Sequence, residues 1–189
     1  ISGCNNSGDV RNGTATTTVV KYIYTGGIIG QFGCSTGEIK ECTNSGNVIN
    51  GVNSTSAGTI RVGGIVGNAD NNLIEKCSNN GTIKDISSSN DPDLGGIIGR
   101  SNASNTTVSG CYNYGDIISE NTSTATTYIL KEETKFFWMT IGGIVGRANS
   151  AGLTLTNCHC EKDCELKSTN TAKKEIIGGL IGYGAQKGT

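Results

Sequence analysis

A five-residue motif, in which two glycines are followed by two branched apolar residues and a third glycine, returns five times along this chain. The copies of this glycine motif span residues 26–30, 63–67, 95–99, 142–146 and 178–182. Repetition at such intervals is typical of stacked architectures, in which each unit buries its apolar face against its neighbours. The repeat therefore constrains the fold more strongly than the composition does.

A second motif follows each of the first four glycine motifs, and one copy precedes the first of them. Its centre is a cysteine, which gives the aligned set Cys4, Cys42, Cys77, Cys111 and Cys158. An apolar residue stands three positions before each cysteine. In the first four copies an asparagine follows two positions after the cysteine, a glycine four positions after it, and Val or Ile six positions after it. One repeat unit therefore joins the glycine motif, a polar stretch and this cysteine motif.

The apolar runs of both motifs are short, branched and bounded by glycine, which favours strands over helices. The Asn-x-Gly step of the cysteine motif is turn chemistry, because asparagine tolerates the left-handed backbone region and glycine enters it freely. We expect three short strands per unit, separated by corners. The sequence thus predicts an all-β fold, a parallel β-helix (β-solenoid) of about four to five coils with loop or hairpin insertions.

In such a stack, equivalent positions of successive coils lie about 4.8 Å apart, so that a sequence column becomes a ladder. We expect the aligned cysteines to form a buried thiol ladder, because free cysteine is small and apolar enough for a narrow interior. A metal-binding or redox relay is the alternative for this column. The asparagines are expected to form a corner ladder, with their amides bonded from coil to coil.

The second branched residue of each glycine motif is not explained by simple strand alternation, which places it on the face opposite the first. Two alternatives remain open from the sequence. Either the strand kinks so that both apolar columns turn inward, or an outer apolar stripe is covered by an insertion or a partner. The residues concerned are Ile29, Val66, Ile98, Val145 and Ile181.

The longest insertion, residues 118–141, holds the densest group of aromatic residues. Residues 126–130 and 135–140 have β character on either side of the charged turn 131–134, which predicts a protruding hairpin. Aromatic side chains on a projecting element suit ligand or partner binding. The alternative is that they fold back and bury the outer apolar stripe. The candidate ligand-binding residues are Tyr128, Phe136, Phe137 and Trp138.

The unit around Cys158 departs from the pattern, since Cys160 replaces the asparagine and Cys164 replaces the Val or Ile. A local disulfide involving Cys160 and Cys164 is the hypothesis favoured here. His159 is the only histidine, and strand alternation points it away from Cys158 and Cys160, which argues against zinc.

Acidic residues offer few further candidates. Asp70, Asp91 and Asp93 do not fit the ligand spacing of an EF-hand loop, and we expect them to be ordinary turn residues. Glu132 and Glu133 are the nearest candidates for the clustered carboxylates of a glycosidase, but they lie in a charged turn. We therefore expect no catalytic residue, no metal site and no cofactor.

The 15 Lys and Arg residues balance the 16 Asp and Glu residues, and the charges are scattered. Neither a basic stripe for nucleic acid nor a polybasic flank for membranes is present in the sequence. The apolar runs are too short for a membrane-inserting helix. The low charge and the many Ser, Thr and Asn residues indicate secretion. Because the chain opens and closes within repeat units, we expect residues 1–189 to be a single solenoid segment of a longer array.

The sequence GGIVG, a polar spacer and LIEKCSNNGTI resemble the repeat called the GLUG motif, whose usual form is GG[LI][VI]G followed by ISNCYNTGxV. Units beginning at Gly26, Gly63 and Gly95 fit throughout, and the unit at Gly142 fits as far as Cys158. The resemblance implies a bacterial cell-surface or secreted protein, with the repeats as a β-helical stalk or adhesin-like region. Similar repeats lie upstream of the metallopeptidase unit of immunoglobulin A proteases, but no HExxH sequence occurs in this chain.

The expected function is therefore a non-catalytic, extracellular or cell-surface repeat domain that acts as a stalk or adhesin-like binding scaffold. Its expected partners are a host or matrix protein or a glycan, and the neighbouring repeats of the full-length protein. A carbohydrate-active or carbohydrate-binding β-helix protein is the alternative.

Overall fold

The computed structural model describes residues 1–13, 16–17, 22–34, 36–51, 53–54, 59–70, 72–89, 91–103, 105–124, 127–130, 133–136, 138–150, 152–170 and 174–184. This part of the chain is all-β, and its parallel strands stack into a β-solenoid of about four turns. The predicted fold class is confirmed. These residues contain no helix that is long and apolar enough to cross a membrane.

The strands recur in a constant order. Before the first complete coil lie β1 (Asn5–Asn6), β2 (Val10–Arg11) and β3 (Thr16–Thr17). The first coil contains β4 (Tyr22–Gly26), β5 (Ile29–Phe32), β6 (Glu38–Lys40), β7 (Thr43–Asn44), β8 (Val48–Asn50) and β9 (Asn53–Ser54). The second contains β10 (Thr59–Gly63), β11 (Val66–Ala69), β12 (Leu73–Glu75), β13 (Ser78–Asn79) and β14 (Ile83–Asp85).

The third coil contains β15 (Asp91–Gly95), β16 (Ile98–Ser101), β17 (Thr107–Ser109), β18 (Tyr112–Asn113), β19 (Ile117–Ser119), β20 (Thr127–Leu130) and β21 (Glu133–Phe136). The fourth contains β22 (Trp138–Gly142), β23 (Val145–Ala148), β24 (Thr154–Thr156), β25 (His159–Cys160) and β26 (Leu166–Ser168). Two further strands, β27 (Lys174–Gly178) and β28 (Ile181–Gly184), extend the stack.

Five parallel sheets of four or five strands run along the described part of the solenoid and are numbered I to V in the order in which the chain visits them; β3 and β9 form a further parallel pair. Sheet I contains β4, β10, β15, β22 and β27, and sheet II contains β5, β11, β16, β23 and β28. Sheet III contains β6, β12, β17 and β24; sheet IV contains β1, β7, β13, β18 and β25; sheet V contains β2, β8, β14, β19 and β26. The expectation of three strands per unit is wrong. The chain bends within the expected strands, and the short strands before and after each bend pair with different strands of the next coil, which gives five sheets.

The glycine motif forms the bend between sheets I and II. In the second coil β10 ends at Gly63 and β11 begins at Val66, so the chain turns at Gly64 and Ile65. Ile65 and Val66 are both fully buried in the same apolar cluster. The bend, not an outer cover, therefore accounts for the second apolar column, and the first of the two alternatives holds.

Steric contacts explain why the bend needs glycine. A Cβ atom on Gly63 would lie 2.0 Å from the carbonyl oxygen of Val66, across the bend. A Cβ atom on Gly64 would lie 2.1 Å from the carbonyl oxygen of Gly96 and 2.4 Å from Cγ of Asn79. The first glycine thus permits the turn, and the second permits close approach to the next coil and to the asparagine of its own coil.

Two apolar clusters flank the paired sheets I and II. One combines the bend and sheet II with sheet III and the buried cysteines, for example Val66, Ile74 and Cys77. The other combines sheet I with sheet V, for example Val62 and Ile83. Between the clusters, sheets I and II touch, since a Cβ atom on Gly67 of β11 would lie 2.8 Å from the backbone nitrogen of Thr25 in β4.

The left-handed backbone residue lies elsewhere than expected. The glycines of the Asn-x-Gly steps do not have positive φ; the residue directly before each aligned cysteine does, at the corner between sheets III and IV. The φ angles at this corner are 64° for Gly3, 54° for Glu41, 51° for Lys76, 58° for Gly110 and 52° for Asn157.

The glycine of the Asn-x-Gly step is required by packing instead, because a Cβ atom on Gly81 would lie 2.0 Å from the carbonyl oxygen of Gly46.

The asparagine column forms the predicted ladder of coil-to-coil hydrogen bonds. Asn44 Nδ2 donates to Asn79 Oδ1 over 2.8 Å, and Asn79 Nδ2 donates to Asn113 Oδ1 over 2.8 Å. The second proton of Asn79 Nδ2 goes to the carbonyl oxygen of Gly81 at 2.8 Å. These asparagines are fully buried, so the ladder satisfies polar groups that would be costly to leave without partners.

The bend provides a test of the fold. We expect Gly64→Ala to lower the free energy of unfolding by about 3 kcal/mol, because its methyl group has no space against Asn79 and the next coil. Gly179→Ala is a matched control at the same motif position, where a Cβ atom meets nothing within 4 Å. Urea denaturation of the two variants measures the difference, and equal midpoints would contradict the packing described here.

Candidate functional site

The predicted aromatic site is divided by the structure. Strands β20 and β21 pair antiparallel, with Tyr128 opposite Lys135 and Thr127 opposite Phe136. The backbones of Tyr128 and Phe136 thus lie in this hairpin. Phe137 lies outside the described residues. Trp138 belongs to β22 of sheet I, where it pairs with Lys174 of the next coil. The second β run therefore ends earlier than predicted, because Trp138 and the residues after it join the solenoid.

Trp138 packs on the solenoid surface. Its ring is half-buried and meets the ring of Tyr183 edge-on, with centroids 5.3 Å apart and an interplanar angle of 80°. The guanidinium of Arg147 lies 5.8 Å from the Tyr183 ring centroid. Arg147 also donates from Nη2 to the backbone carbonyl of Trp138 over 3.2 Å. These contacts give Trp138 a packing role beside a group of buried charges.

Two aspartates of β15 and two arginines of sheet II form that group, an ion-pair network between sheets I and II. Asp93 Oδ2 contacts Arg100 Nε, and Asp93 Oδ1 lies 2.9 Å from Arg147 Nε. Asp91 Oδ1 lies 3.0 Å from Arg147 Nη2, and Asp91 Oδ2 lies 3.4 Å from Arg100 Nη2. The hydroxyl of Thr140 donates to Asp93 Oδ1 over 2.6 Å. Every carboxylate oxygen of the network therefore has a polar or cationic partner.

The network corrects the expectation that Asp91 and Asp93 are turn residues. Both stand in β15, two residues apart, so that their side chains leave the strand on one face, toward the arginines of sheet II. A sequence signal was present: Arg100 and Arg147 each follow directly after the third glycine of a glycine motif, and Asp93 stands two residues before the first. Asp70 lies after β11, where its carboxylate accepts a hydrogen bond from Asn68 Nδ2.

Burial and mutual charge shape the electrostatics of this network. Burial, and next the neighbouring Asp93 carboxylate, raise the pKa of Asp91. For Arg147, burial lowers the pKa, but the charges of Asp93 and Asp91 outweigh that effect and the net shift is upward. Burial, followed by repulsion from Arg100, lowers the pKa of Arg61, whose guanidinium lies 4.8 Å from the centroid of the Tyr24 ring.

The aligned cysteines are fully buried only in the middle of the stack. Cys42, Cys77 and Cys111 are buried, Cys158 is partly buried, and Cys4 is exposed at the first turn. The thiol of Cys77 donates to the carbonyl oxygen of Ile39, 3.7 Å away in the preceding coil. Burial raises the pKa of Cys42. Hydrogen bonds with Cys158 and Cys77, together with burial, raise the pKa of Cys111.

All eight cysteines are free thiols, including Cys160 and Cys164, for which a local disulfide was expected. Cys160 instead takes the place of an asparagine in the buried ladder, where its sulfur accepts a hydrogen bond from Asn113 Nδ2 at 3.7 Å. Cys164 donates to the backbone carbonyl of Asn113 over 3.7 Å. Burial, and then the proximity of Cys160, raise the pKa of Cys164 to about 11.

His159 lies on the outer face of sheet IV. Its Nε2 atom is 3.9 Å from Glu161 Oε2, and its ring centroid is 6.3 Å from that of Tyr112. Within the ranges that the structure describes, no group of three or more His, Cys, Asp or Glu side chains is arranged to hold a metal ion.

The family model of the GLUG motif matches residues 58–84. The chain contains a GLUG motif. In structural terms this GLUG motif is one coil: it runs from the start of β10 into β14, contributing one strand to each of the five sheets. No match was found among the curated proteins or among the solved structures.

The ion-pair network gives the second test. We expect Asp93→Ala to destabilise the protein by about 3–5 kcal/mol, because the buried guanidinium groups of Arg100 and Arg147 would then share the single carboxylate of Asp91 and would lose their partner at Nε. Thermal or urea unfolding measures the loss. Asp163→Ala is the control, since Asp163 is exposed in a turn. A change below about 1 kcal/mol at Asp93, equal to that of a surface substitution, would contradict the burial of the network.

The thiol ladder gives the third test. Rapid native-state alkylation should modify the exposed Cys4 and Cys34 and spare Cys42, Cys77 and Cys111, which are buried and whose thiols donate to carbonyl groups. All eight should react after denaturation. Mass spectrometry of peptides from short labelling pulses identifies the modified residues. Fast native labelling of Cys77 would rule out this register of the solenoid.

Proposed function

We propose that this chain is a non-catalytic repeat domain of a cell-surface or secreted protein, in which the solenoid acts as a stalk or adhesin-like binding scaffold. The observation that carries the proposal is the contrast between constant and variable parts of the coil. The interior is filled by columns of repeated residues joined by hydrogen bonds from coil to coil, as in the ladder of Asn44, Asn79 and Asn113. Such a body is stiff along its axis and extends by adding units.

Length variation is concentrated in one connection. Between sheets III and IV the connection is two residues in each coil, namely 41–42, 76–77, 110–111 and 157–158. Between sheets V and I it spans 86–90 in the second coil but 120–137 in the third, where it includes the antiparallel pair β20 and β21. Insertions on one side of a repeat stack are commonly its binding surface. We therefore place partner binding on this hairpin.

The acidic residues support a non-catalytic role. A glycosidase needs two carboxyl groups that face a substrate. Within the part of the chain that the structure describes, Asp91 and Asp93 lie together on β15, but they face Arg100 and Arg147 instead. Glu133 begins β21, and Glu132 lies outside the described residues.

The proposed location is the cell surface or the extracellular space, in keeping with the GLUG motif and with the near balance of 15 basic and 16 acidic residues. The proposed partners are a host or matrix protein or a glycan, together with neighbouring repeats of the full-length protein. Free thiols in the ladder do not conflict with secretion, since burial shields Cys42, Cys77 and Cys111 from oxidants.

Binding assays on immobilised fibronectin, fibrinogen and collagen test the proposal. The unmodified chain should bind at least one of them, and the triple variant Tyr128→Ala, Phe136→Ala, Phe137→Ala should lose that binding with an unchanged melting temperature. The matched control on the same hairpin is Glu133→Ala with Lys135→Ala, which should retain binding. Trp138 is left intact, because its contact with Tyr183 belongs to the solenoid.

Two outcomes would contradict this proposal. One is hydrolysis of a polysaccharide by the unmodified chain, which would make the protein an enzyme. The other is that all three matrix proteins fail to bind, or bind equally well to the aromatic triple variant, which would remove the hairpin from the function.

A further inference from the structure

The outer face of sheet IV carries an aromatic group that the solenoid does not need. Along the column of Tyr112, the equivalent residues of the other coils are Asn5, Thr43, Ser78 and His159. Along the column of Tyr114, two residues further on, they are Ser7, Ser45, Asn80 and Glu161. Small polar residues thus serve equally well at both positions. A tyrosine stands at the first position in the usual form of the GLUG motif, whereas Tyr114 replaces its threonine.

Both tyrosines are exposed, Tyr112 by 41% and Tyr114 by 48%. Their rings are nearly parallel, with an interplanar angle of 14° and centroids 6.2 Å apart. The His159 ring of the next coil lies 6.3 Å from that of Tyr112. Exposed aromatic rings grouped in this way, on a face that is otherwise polar, are characteristic of binding surfaces.

The group is also held rigidly from below. Asn113, the residue between the two tyrosines, is fully buried and bonded into the asparagine ladder. The backbone amides of Tyr112 and Tyr114 donate to the carbonyl oxygens of Cys77 and Asn79, respectively, at 2.9 and 2.8 Å. Because the backbone is fixed, little conformational entropy is lost when a ligand settles on the rings.

The chemistry around the rings selects the class of ligand. Toward the preceding coils the surface offers hydroxyl and amide groups, with Thr43 Oγ1 and Ser78 Oγ 3.2 Å apart and Asn80 exposed beside them. Toward the next coil, His159 and Glu161 add hydrogen-bonding groups at 3.9 Å from each other. A sugar ring presents a face of C–H groups and a rim of hydroxyls, which matches aromatic faces bordered by hydroxyl, amide and carboxylate groups. The charge of Glu161 disfavours an acidic sugar at this border, which selects a neutral glycan.

We propose that Tyr112 and Tyr114, with His159 beside them, form a binding platform for a neutral glycan chain on the outer face of sheet IV. The inference rests on the proposed function of a binding scaffold, but it places glycan binding on the solenoid itself and not on the hairpin. The open sheet face suits an extended chain that lies along the stack.

Native affinity electrophoresis tests the platform, with galactomannan, xyloglucan or laminarin in the gel and polygalacturonate as the acidic comparison. At least one neutral polysaccharide should retard the chain. Tyr112→Ala and Tyr114→Ala should each weaken this retardation about tenfold, the equivalent of losing about 1.4 kcal/mol of binding free energy. Tyr112→Phe should retain most of it, because the ring face is kept. Tyr22→Ala is the control, since Tyr22 is a tyrosine of 62% exposure on another sheet.

The outcomes separate this platform from the hairpin. The aromatic triple variant of the hairpin should be retarded as strongly as the unmodified chain. If that variant alone loses glycan binding, the platform is overturned while the proposed scaffold function stands. Absence of retardation in all three neutral polysaccharides, retardation by polygalacturonate alone, or unchanged behaviour of the double variant Tyr112→Ala, Tyr114→Ala would each overturn it. Loss of matrix-protein binding in that double variant, without any glycan binding, would assign the face to a protein partner and likewise overturn it.

Discussion

In the first three coils, the contact between the second glycine of the glycine motif and the asparagine of the same coil sets the cross-section of this solenoid. At Gly64 only a hydrogen atom separates the bend between sheets I and II from the Asn79 amide, because a Cβ atom would lie 2.4 Å from Cγ of Asn79. The amide in turn is held by hydrogen bonds to Asn113 and to Gly81. The close approach brings the bend to the centre of the molecule, and the two apolar clusters fill the space on either side.

Two parts of the polar interior differ in their physical costs. The asparagine ladder is neutral and nearly self-satisfying, so it can be repeated in any number of coils. The network of Asp91, Asp93, Arg100 and Arg147 is not part of the repeated pattern, and it places charges between two sheets, where desolvation offsets much of their attraction. Such a network adds little net stability, but removing one of its charged side chains destabilises the protein strongly, because the remaining buried charges are then incompletely compensated.

The column alignment predicted much of the architecture, since a repeated position becomes a ladder once strands stack in parallel register. Gly63 aligns with Gly95, and Asn79 with Asn113, in the sheets as in the sequence. The candidate site was predicted less well. Asp93 and Trp138 lie in segments that resemble loop or hairpin by composition, and their place in sheet I depends on pairing with neighbouring coils. Local propensity carries no information about such pairing.

The sequence alone determined that the chain is a β-solenoid, where its units repeat and which residues share a column, because periodic spacing translates directly into stacking. Only the tertiary structure decided that each complete coil contributes one strand to each of five sheets, and that both apolar columns of the glycine motif point inward. It likewise decided that the residue before the aligned cysteine, and not the Asn-x-Gly step, takes the left-handed conformation. It also decided that Cys160 joins the asparagine ladder. The direction of a side chain at a bend depends on what the neighbouring coils leave room for, and that is a property of the packed molecule.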